Sequence, residues 1–226
     1  MTIALFWDID GTLLWTGRAG IIAWERAVEE VLGTGTDLTD LPTAGLTDYE
    51  IGATLLDMIS PGAAGEVGSL VRAYERHLPD CLPLRQGTVL PGVREILEGL
   101  NGRRDVLSLL LTGNTRAGAA AKLGYYGLGR YFRDGAFAEQ GLARAGIARA
   151  AVELARTLAG DSGLEERYVI GDTPHDVHCG RAVGARTLAV ATGPVPFDEL
   201  VRHEPWLVMP RLPGVDEFKT LIGLRG

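Results

Sequence analysis

Four times along this chain a short apolar run stops at a polar, glycine-bearing loop, and this recurrence limits the fold more than any other feature. Residues 3–7 run into Asp8-Ile9-Asp10-Gly11, residues 106–111 into Thr112-Gly113-Asn114, residues 168–170 into Gly171-Asp172-Thr173-Pro174, and residues 187–191 into Thr192-Gly193-Pro194. Continuous apolar runs without alternation mark strands covered on both faces. Between them, residues 93–100, 116–123, 147–158 and 176–183 read as helices, with glycines near several ends. Strand and helix in alternation predict an α/β fold, a Rossmann-like parallel sheet with helices on both faces. Such sheets bind ligands beyond the carboxyl ends of their strands, where all four loops emerge.

The stretch between the first and second strands is far longer than one crossover requires, so it must carry structure of its own. Ile21, Ile22, Val28, Val31 and Leu32 have the spacing of an amphipathic helix. Ile51, Leu55, Leu56 and Ile59 make a second, opened by a capping box at Thr47-Asp48-Tyr49-Glu50, and residues 64–77 make a third. The expected organisation is an α/β core domain of residues 1–14 and 86–226 with an inserted α-helical cap domain of residues 15–85.

Composition narrows the function. With 46% hydrophobic and 23% charged residues and no apolar run of about 18 residues, this is a folded chain without a membrane-spanning helix. The apolar N-terminal run lacks a basic leader and is cut short by Asp8 and Asp10, so a cytoplasmic location is expected. A net charge of −7 and the absence of a basic run argue against nucleic acid, which demands a basic footprint. Cys81 and Cys179 provide neither a disulfide framework nor zinc-site spacing. A small-molecule partner remains, and nothing in the sequence fixes the oligomeric state.

DIDGTLL at 8–14, LLLTGN at 109–114 and VIGDTPHD at 169–176, each behind an apolar strand and in this order, resemble the first, second and fourth motifs of haloacid dehalogenase superfamily hydrolases. LPGVREIL at 90–97, KLGYYGLGRYF at 122–132 and GARTLAVATG at 184–193 resemble the phosphoglycolate-phosphatase-like branch with a helical cap. The resemblance implies a phosphatase acting on a small phosphorylated metabolite with magnesium as cofactor. Asp8 is then the nucleophile, since transfer to a carboxylate and then to water replaces one difficult step with two easier ones. Asp10 can give a proton to the leaving alkoxide and take one from the attacking water. Dehalogenases of the superfamily lack an acid at this second position, so Asp10 favours phosphoryl chemistry.

By the same resemblance, magnesium is held by the Asp8 side chain, the Asp10 backbone carbonyl and Asp172, with Asp176 in support. Magnesium prefers oxygen ligands and bridges carboxylates to phosphates. The alternative for Asp172 is a helix N-cap ahead of Pro174. Thr112, Gly113 and Asn114, a hydroxyl and backbone N–H groups at a helix start, suit a phosphate oxygen, although Thr112 taken singly also suits a simple cap.

The family's third motif, a phosphate-clamping lysine, has no clear counterpart. Lys122 and Lys219 are the only lysines. Lys219 lies beyond the fourth motif. Lys122 sits in an expected helix whose rise of ~1.5 Å per residue carries it away from the phosphate loop, so it reads as a solvated surface residue. Arg144, where some relatives carry arginine, is the expected clamp, with Arg149 a weaker alternative; arginine binds phosphate bidentately and stays charged. His175 and His178 read as neighbouring polar positions, Trp24 and Trp206 as packing residues, and Thr47 and Asp48 as a capping box or as substrate contacts. Two other functions stay open at this stage: a phosphomutase acting on a sugar phosphate, and a non-catalytic phosphate-binding protein.

Overall fold

The computed structural model describes residues 2–61, 66–160 and 163–224. Its centre is a six-stranded parallel sheet of β1 (Thr2–Trp7), β4 (Val106–Leu111), β5 (Gly135–Ala136), β6 (Leu164–Gly171), β7 (Arg186–Val190) and β8 (Leu207–Met209), in the order β5-β4-β1-β6-β7-β8. β1 lies inside the sheet, and the strand order runs outward from it to β4 and β5 on one side and to β6, β7 and β8 on the other. That is a switch point, where an open parallel sheet leaves a crevice beyond its strand ends.

Successive side chains of a strand point to opposite faces, so a central strand must be apolar on both. Leu5 and Trp7 of β1 enter one core layer with Leu110, Tyr168, Ile170 and Leu188, covered by α4 (Val93–Leu100), α5 (Arg116–Tyr125) and α9 (Val215–Leu221). Ala4 and Phe6 enter the opposite layer with Leu109, Leu111 and Val169, covered by α6 (Arg144–Ala159) and α7 (Pro174–Ala182). Trp7 stacks on Phe218 of α9 at 5.5 Å. Burying large apolar side chains such as these is worth about 1.5–3 kcal/mol each. α8 (Phe197–Arg202) joins the last two strands.

A short antiparallel ribbon, β2 (Leu14–Trp15) with β3 (Thr88–Val89), brackets the long insertion. The insertion comprises α1 (Ala19–Leu32), α2 (Asp48–Ile59) and α3 (Val67–Cys81) and buries a hydrophobic cluster separate from the two layers of the sheet. At its centre Trp24 stacks on Tyr74, with ring centroids 4.2 Å apart and planes 10° from parallel. Glu30 of α1 pairs with Arg76 and His77 of α3 on the rim. The helix expected over 64–77 begins at Val67 among the described residues and runs on to Cys81; positions 64 and 65 lie outside them. No described helix is long and apolar enough to cross a membrane.

The expected strands and helices of the core are present, with differences at their ends. β6 begins at Leu164 rather than 168; its first residues are exposed or half-buried and include the charged Glu165, Glu166 and Arg167, so no apolar run marks its start. α6 begins three residues before the expected 147, which places Arg144 in its first turn.

Candidate active site

β1 and β6 are parallel neighbours in register, Trp7 facing Ile170, so the loops that follow them emerge side by side. The Asp8 backbone N–H donates to Ile170 O at 3.0 Å, and the buried Asp8 carboxylate comes to rest next to Asp172 and Asp176. One oxygen from each of these three carboxylates lies within 4.8 Å of the other two. Gly11 makes the turn after Asp10 at φ +82°, and a Cβ there would fall 2.3 Å from Asp172 Oδ2. A Cβ on Gly193 would fall 1.6 Å from the same oxygen. Both loops therefore need glycine to approach the Asp172 carboxylate.

The N-cap of α7 is Thr173, not Asp172. Asp176 Oδ2 accepts from the Thr173 backbone N–H at 3.0 Å and from its hydroxyl at 2.7 Å, completing a capping box. Asp172 is thus free of a capping duty. Its Oδ1 accepts from the Thr12 hydroxyl at 3.1 Å, while Oδ2 is buried without a protein partner.

Three acids in so small a space repel one another. Burial first, then the Asp176 charge, pushes the Asp8 carboxyl up to about 7, with Arg144 opposing and Asp10 adding to the rise. Asp172 is raised well above the usual carboxylate range by burial, then by Asp8 and Asp176, with the Thr12 hydroxyl opposing. An unpartnered buried carboxylate oxygen within a group of crowded acids is the donor set that fits a hard divalent cation.

Arg144 supplies part of the missing positive charge. Its side chain is 14% exposed, and its guanidinium lies 3.4 Å from Asp176 Oδ1. Burial works against the Arg144 charge, but Asp176 and Asp8 outweigh it and hold the proton more tightly than usual. Its Nε is buried without a protein acceptor. Gly113 passes so close that a Cβ there would lie 2.7 Å from the Arg144 guanidinium. Arg149, further along the same helix, is exposed.

The loop after β4 completes the floor. Thr112 is buried and donates its backbone N–H to Ala136 O at 3.2 Å. It does not cap α5, because Thr115 is the N-cap, accepting from the Gly118 N–H at 3.1 Å. Asn114 Nδ2 donates to Thr112 Oγ1 and to Asp10 Oδ2, both at 2.9 Å.

Lys122 departs from expectation. It is not a solvated surface residue: it is buried, and its Nζ donates at 2.6 Å both to Asp10 Oδ2 and to Asn114 Oδ1. Gly118, Ala119, Lys122 and Leu123 form the buried face of α5. Helical side chains lean toward the N-terminus, so the long stem of Lys122 returns much of the distance that the helix rise takes away. That lean, together with the buried neighbours at 118, 119 and 123, is the sequence cue that a count of rise alone misses.

The insertion lines the other side of the site. The Thr47-to-Glu50 capping box forms, with Thr47 Oγ1 accepting the Glu50 N–H at 3.1 Å and Glu50 accepting the Thr47 N–H at 2.7 Å. Asp48 reaches into the core: its N–H donates to Gly113 O at 2.8 Å, and its Oδ2 accepts the Thr115 N–H at 2.7 Å. Burial pushes the Asp48 carboxyl up to about 6, against the Lys122 charge and the Thr115 N–H. Between the strand-end loops and the insertion lies a cavity of about 650 Å³, with Asp8, Asp10, Thr112 and Arg144 on one side and Trp24 and Ile51 on the other.

Neither histidine enters the acid group. A Cβ on Gly45 of the insertion would fall 2.3 Å from the His175 ring, and His178 meets His203 edge-on at 5.6 Å. Trp24 packs within the insertion, as expected, whereas Trp206 is 42% exposed and lies edge-on to Tyr168.

Comparison with known proteins agrees with this architecture. The model of haloacid dehalogenase-like hydrolases matches residues 5–181. "Probable phosphatase IndB" of Dickeya dadantii is 26% identical over 221 residues, which cover 97% of this chain and 91% of that protein. A crystal structure of a "predicted phosphatase" from Clostridium acetobutylicum superposes with a TM-score of 0.72 at 17% identity, covering 98% of this chain and 97% of the other. A hydrolase from Pseudomonas syringae superposes with a TM-score of 0.65 at 20% identity over the full length of both chains. At these identities the two crystal structures speak to the fold.

Proposed function

Because this chain belongs to the haloacid dehalogenase-like hydrolase family, we propose that it is a magnesium-dependent phosphatase that hydrolyses a small phosphorylated metabolite through an aspartyl-phosphate on Asp8. The observation that carries this reading is the trio Asp8, Asp172 and Asp176, crowded and buried, with Asp172 Oδ2 lacking a protein partner. The Asp8 side chain, the Asp10 backbone carbonyl and Asp172 would hold the cation, with Asp176 anchoring Arg144 beside them. When bound, magnesium offsets the repulsion between the Asp8 carboxylate and an incoming phosphate.

In the first half-reaction an Asp8 oxygen attacks phosphorus and the ester P–O bond breaks. The departing alkoxide takes a proton from the Asp10 carboxyl and leaves as the alcohol. In the second, water attacks the phosphorus and gives its proton to Asp10, while the bond to Asp8 breaks and inorganic phosphate is released. The sum is monoester plus water giving alcohol plus phosphate. Arg144 and the Thr112-Gly113-Asn114 loop face the non-bridging phosphate oxygens, whose charge must be balanced in both transition states.

Residues 15–85 act in this reading as a cap that shuts water out of the cavity until the covalent step is complete. The apolar wall that includes Trp24 and Ile51 would receive the non-phosphate part of the substrate. The test is phosphate release from a panel of metabolite phosphates and p-nitrophenyl phosphate with magnesium, with the organic product identified so that hydrolysis is separated from phosphoryl transfer. Asp8→Asn should lower turnover by about 10³-fold or more, and robust turnover by that variant would exclude Asp8 as the nucleophile.

A further inference from the structure

We infer that Lys122 is a positioning residue for Asp10: with Asn114 it pins one carboxylate oxygen so that the other faces the cavity as the proton-exchanging atom. This inference rests on the phosphatase reading and adds to it a residue that its chemistry does not call for.

Asp10 stands on a turn of the loop after β1, and its side chain is 42% exposed toward the cavity, so little packing fixes its rotamer. Hydrogen bonds do instead. Oδ2 receives Lys122 Nζ at 2.6 Å and Asn114 Nδ2 at 2.9 Å. Asn114 is itself held at both ends of its carboxamide, by Thr112 Oγ1 at 2.9 Å and by Lys122 Nζ at 2.6 Å. Among the described residues Oδ1 has no protein donor. The carboxylate is therefore gripped on one side and open on the other.

The grip is built on a rigid element. Lys122 projects from the buried face of α5, with its side chain 7% exposed, between Asp10 of the core and the charge of Asp48 from the insertion. A buried ammonium persists only where it is paired and hydrogen-bonded, and its acceptors Asp10 Oδ2 and Asn114 Oδ1 both lie in the Asp10 network. A short, charge-assisted bond is stronger and more directional than a neutral one, which suits it to fixing a rotamer. Proton transfer requires the acid within hydrogen-bond reach of the reacting oxygen, so a carboxyl free to rotate would lose most of its advantage.

The experiment is a double-mutant cycle with magnesium present. Steady-state constants are measured on an alkyl phosphate for the wild type, Lys122→Met, Asp10→Asn and the double variant. If Lys122 works through Asp10, Lys122→Met lowers kcat by about 10²-fold with KM changed less than about 3-fold. In the Asp10→Asn background the same change then adds less than about 3-fold, because the group it positions is already gone. Full additivity, or a rise in KM with kcat preserved, overturns the inference and makes Lys122 a direct phosphate contact. Should Lys122→Met fail to fold, Lys122→Gln, which removes the charge and keeps a polar side chain, takes its place in the cycle with the same outcomes. Absence of turnover by the wild type would sink the phosphatase reading and this inference with it, whereas additivity sinks this inference alone.

Discussion

The sheet and the helical insertion are both well packed, yet they handle polar groups in opposite ways. The insertion keeps most of its charges at the rim, as in the pairing of Glu30 with Arg76 and His77, and stacks Trp24 on Tyr74 within. The sheet gathers Asp8, Asp172 and Asp176 at its strand ends, buried, with two of them pushed far from their ordinary protonation. Such an arrangement costs stability, and a fold retains it where charge chemistry is performed. Among the described residues of the insertion the exception is Asp48, buried and bonded to the core at Gly113 and Thr115. In the proposed reading the difference divides the labour: the sheet would hold the reacting groups, and the insertion would contribute a wall and a latch.

The sharpest way to break this division is through Arg144. Removing its charge should strip the sheet of its positive counterweight, so Arg144→Ala should lower kcat/KM by about 10²- to 10³-fold on any phosphate ester. A loss that varied strongly with the organic part of the substrate would instead assign Arg144 to the insertion's side of the work.

A smaller effect is expected at the latch. Asp48→Ala leaves the Thr115 N–H without its acceptor, at a cost of about 1–3 kcal/mol. If the bond belongs to cap closure, that cost emerges as a rise in KM of about 5- to 150-fold with little change in Tm. A lower Tm with KM unchanged would show that Asp48 serves the start of α5 and not closure.

The smallest shift concerns the cation. The folded-state pKa of Asp8 is raised from 3.8 to about 7, so the stability this group contributes is full below about pH 4 and is lost as pH rises through about 7. Asp172 is shifted in the same direction. In the proposed reading magnesium would bind these carboxylates in their deprotonated form, so the Tm increase it produces should be larger at pH 8 than at pH 5. Equal increases at the two pH values would place the cation away from these acids.

Much of this division was legible in the residues alone. β1, β4 and the inner half of β6 announce themselves because a strand buried on both faces is apolar, and the loops after β1 and β6 carry the acids. The edge strands β5 and β8 do not, since two or three residues give no period to read. Asp172, Asp176 and Arg144 lie close together because they sit at a strand end or in the first turn of a helix, where chain direction fixes side-chain position. Lys122 was misread for the opposite reason: it sits well inside a helix, and its reach depends on side-chain lean and on which face α5 buries. Asp48 was only half legible, for the capping-box pattern specifies Thr47 and Glu50 but says nothing of which core amide meets the residue between them.

The central claim, that Asp8 takes the phosphoryl group covalently, is tested most directly by acid-quenching the magnesium-loaded enzyme during turnover of a ³²P-labelled monoester and mapping the labelled peptide. The account predicts a hydroxylamine-labile acyl-phosphate on Asp8, absent from Asp8→Asn. Label on another residue, or none in an enzyme that is turning over under conditions where the second step is slow, would contradict it.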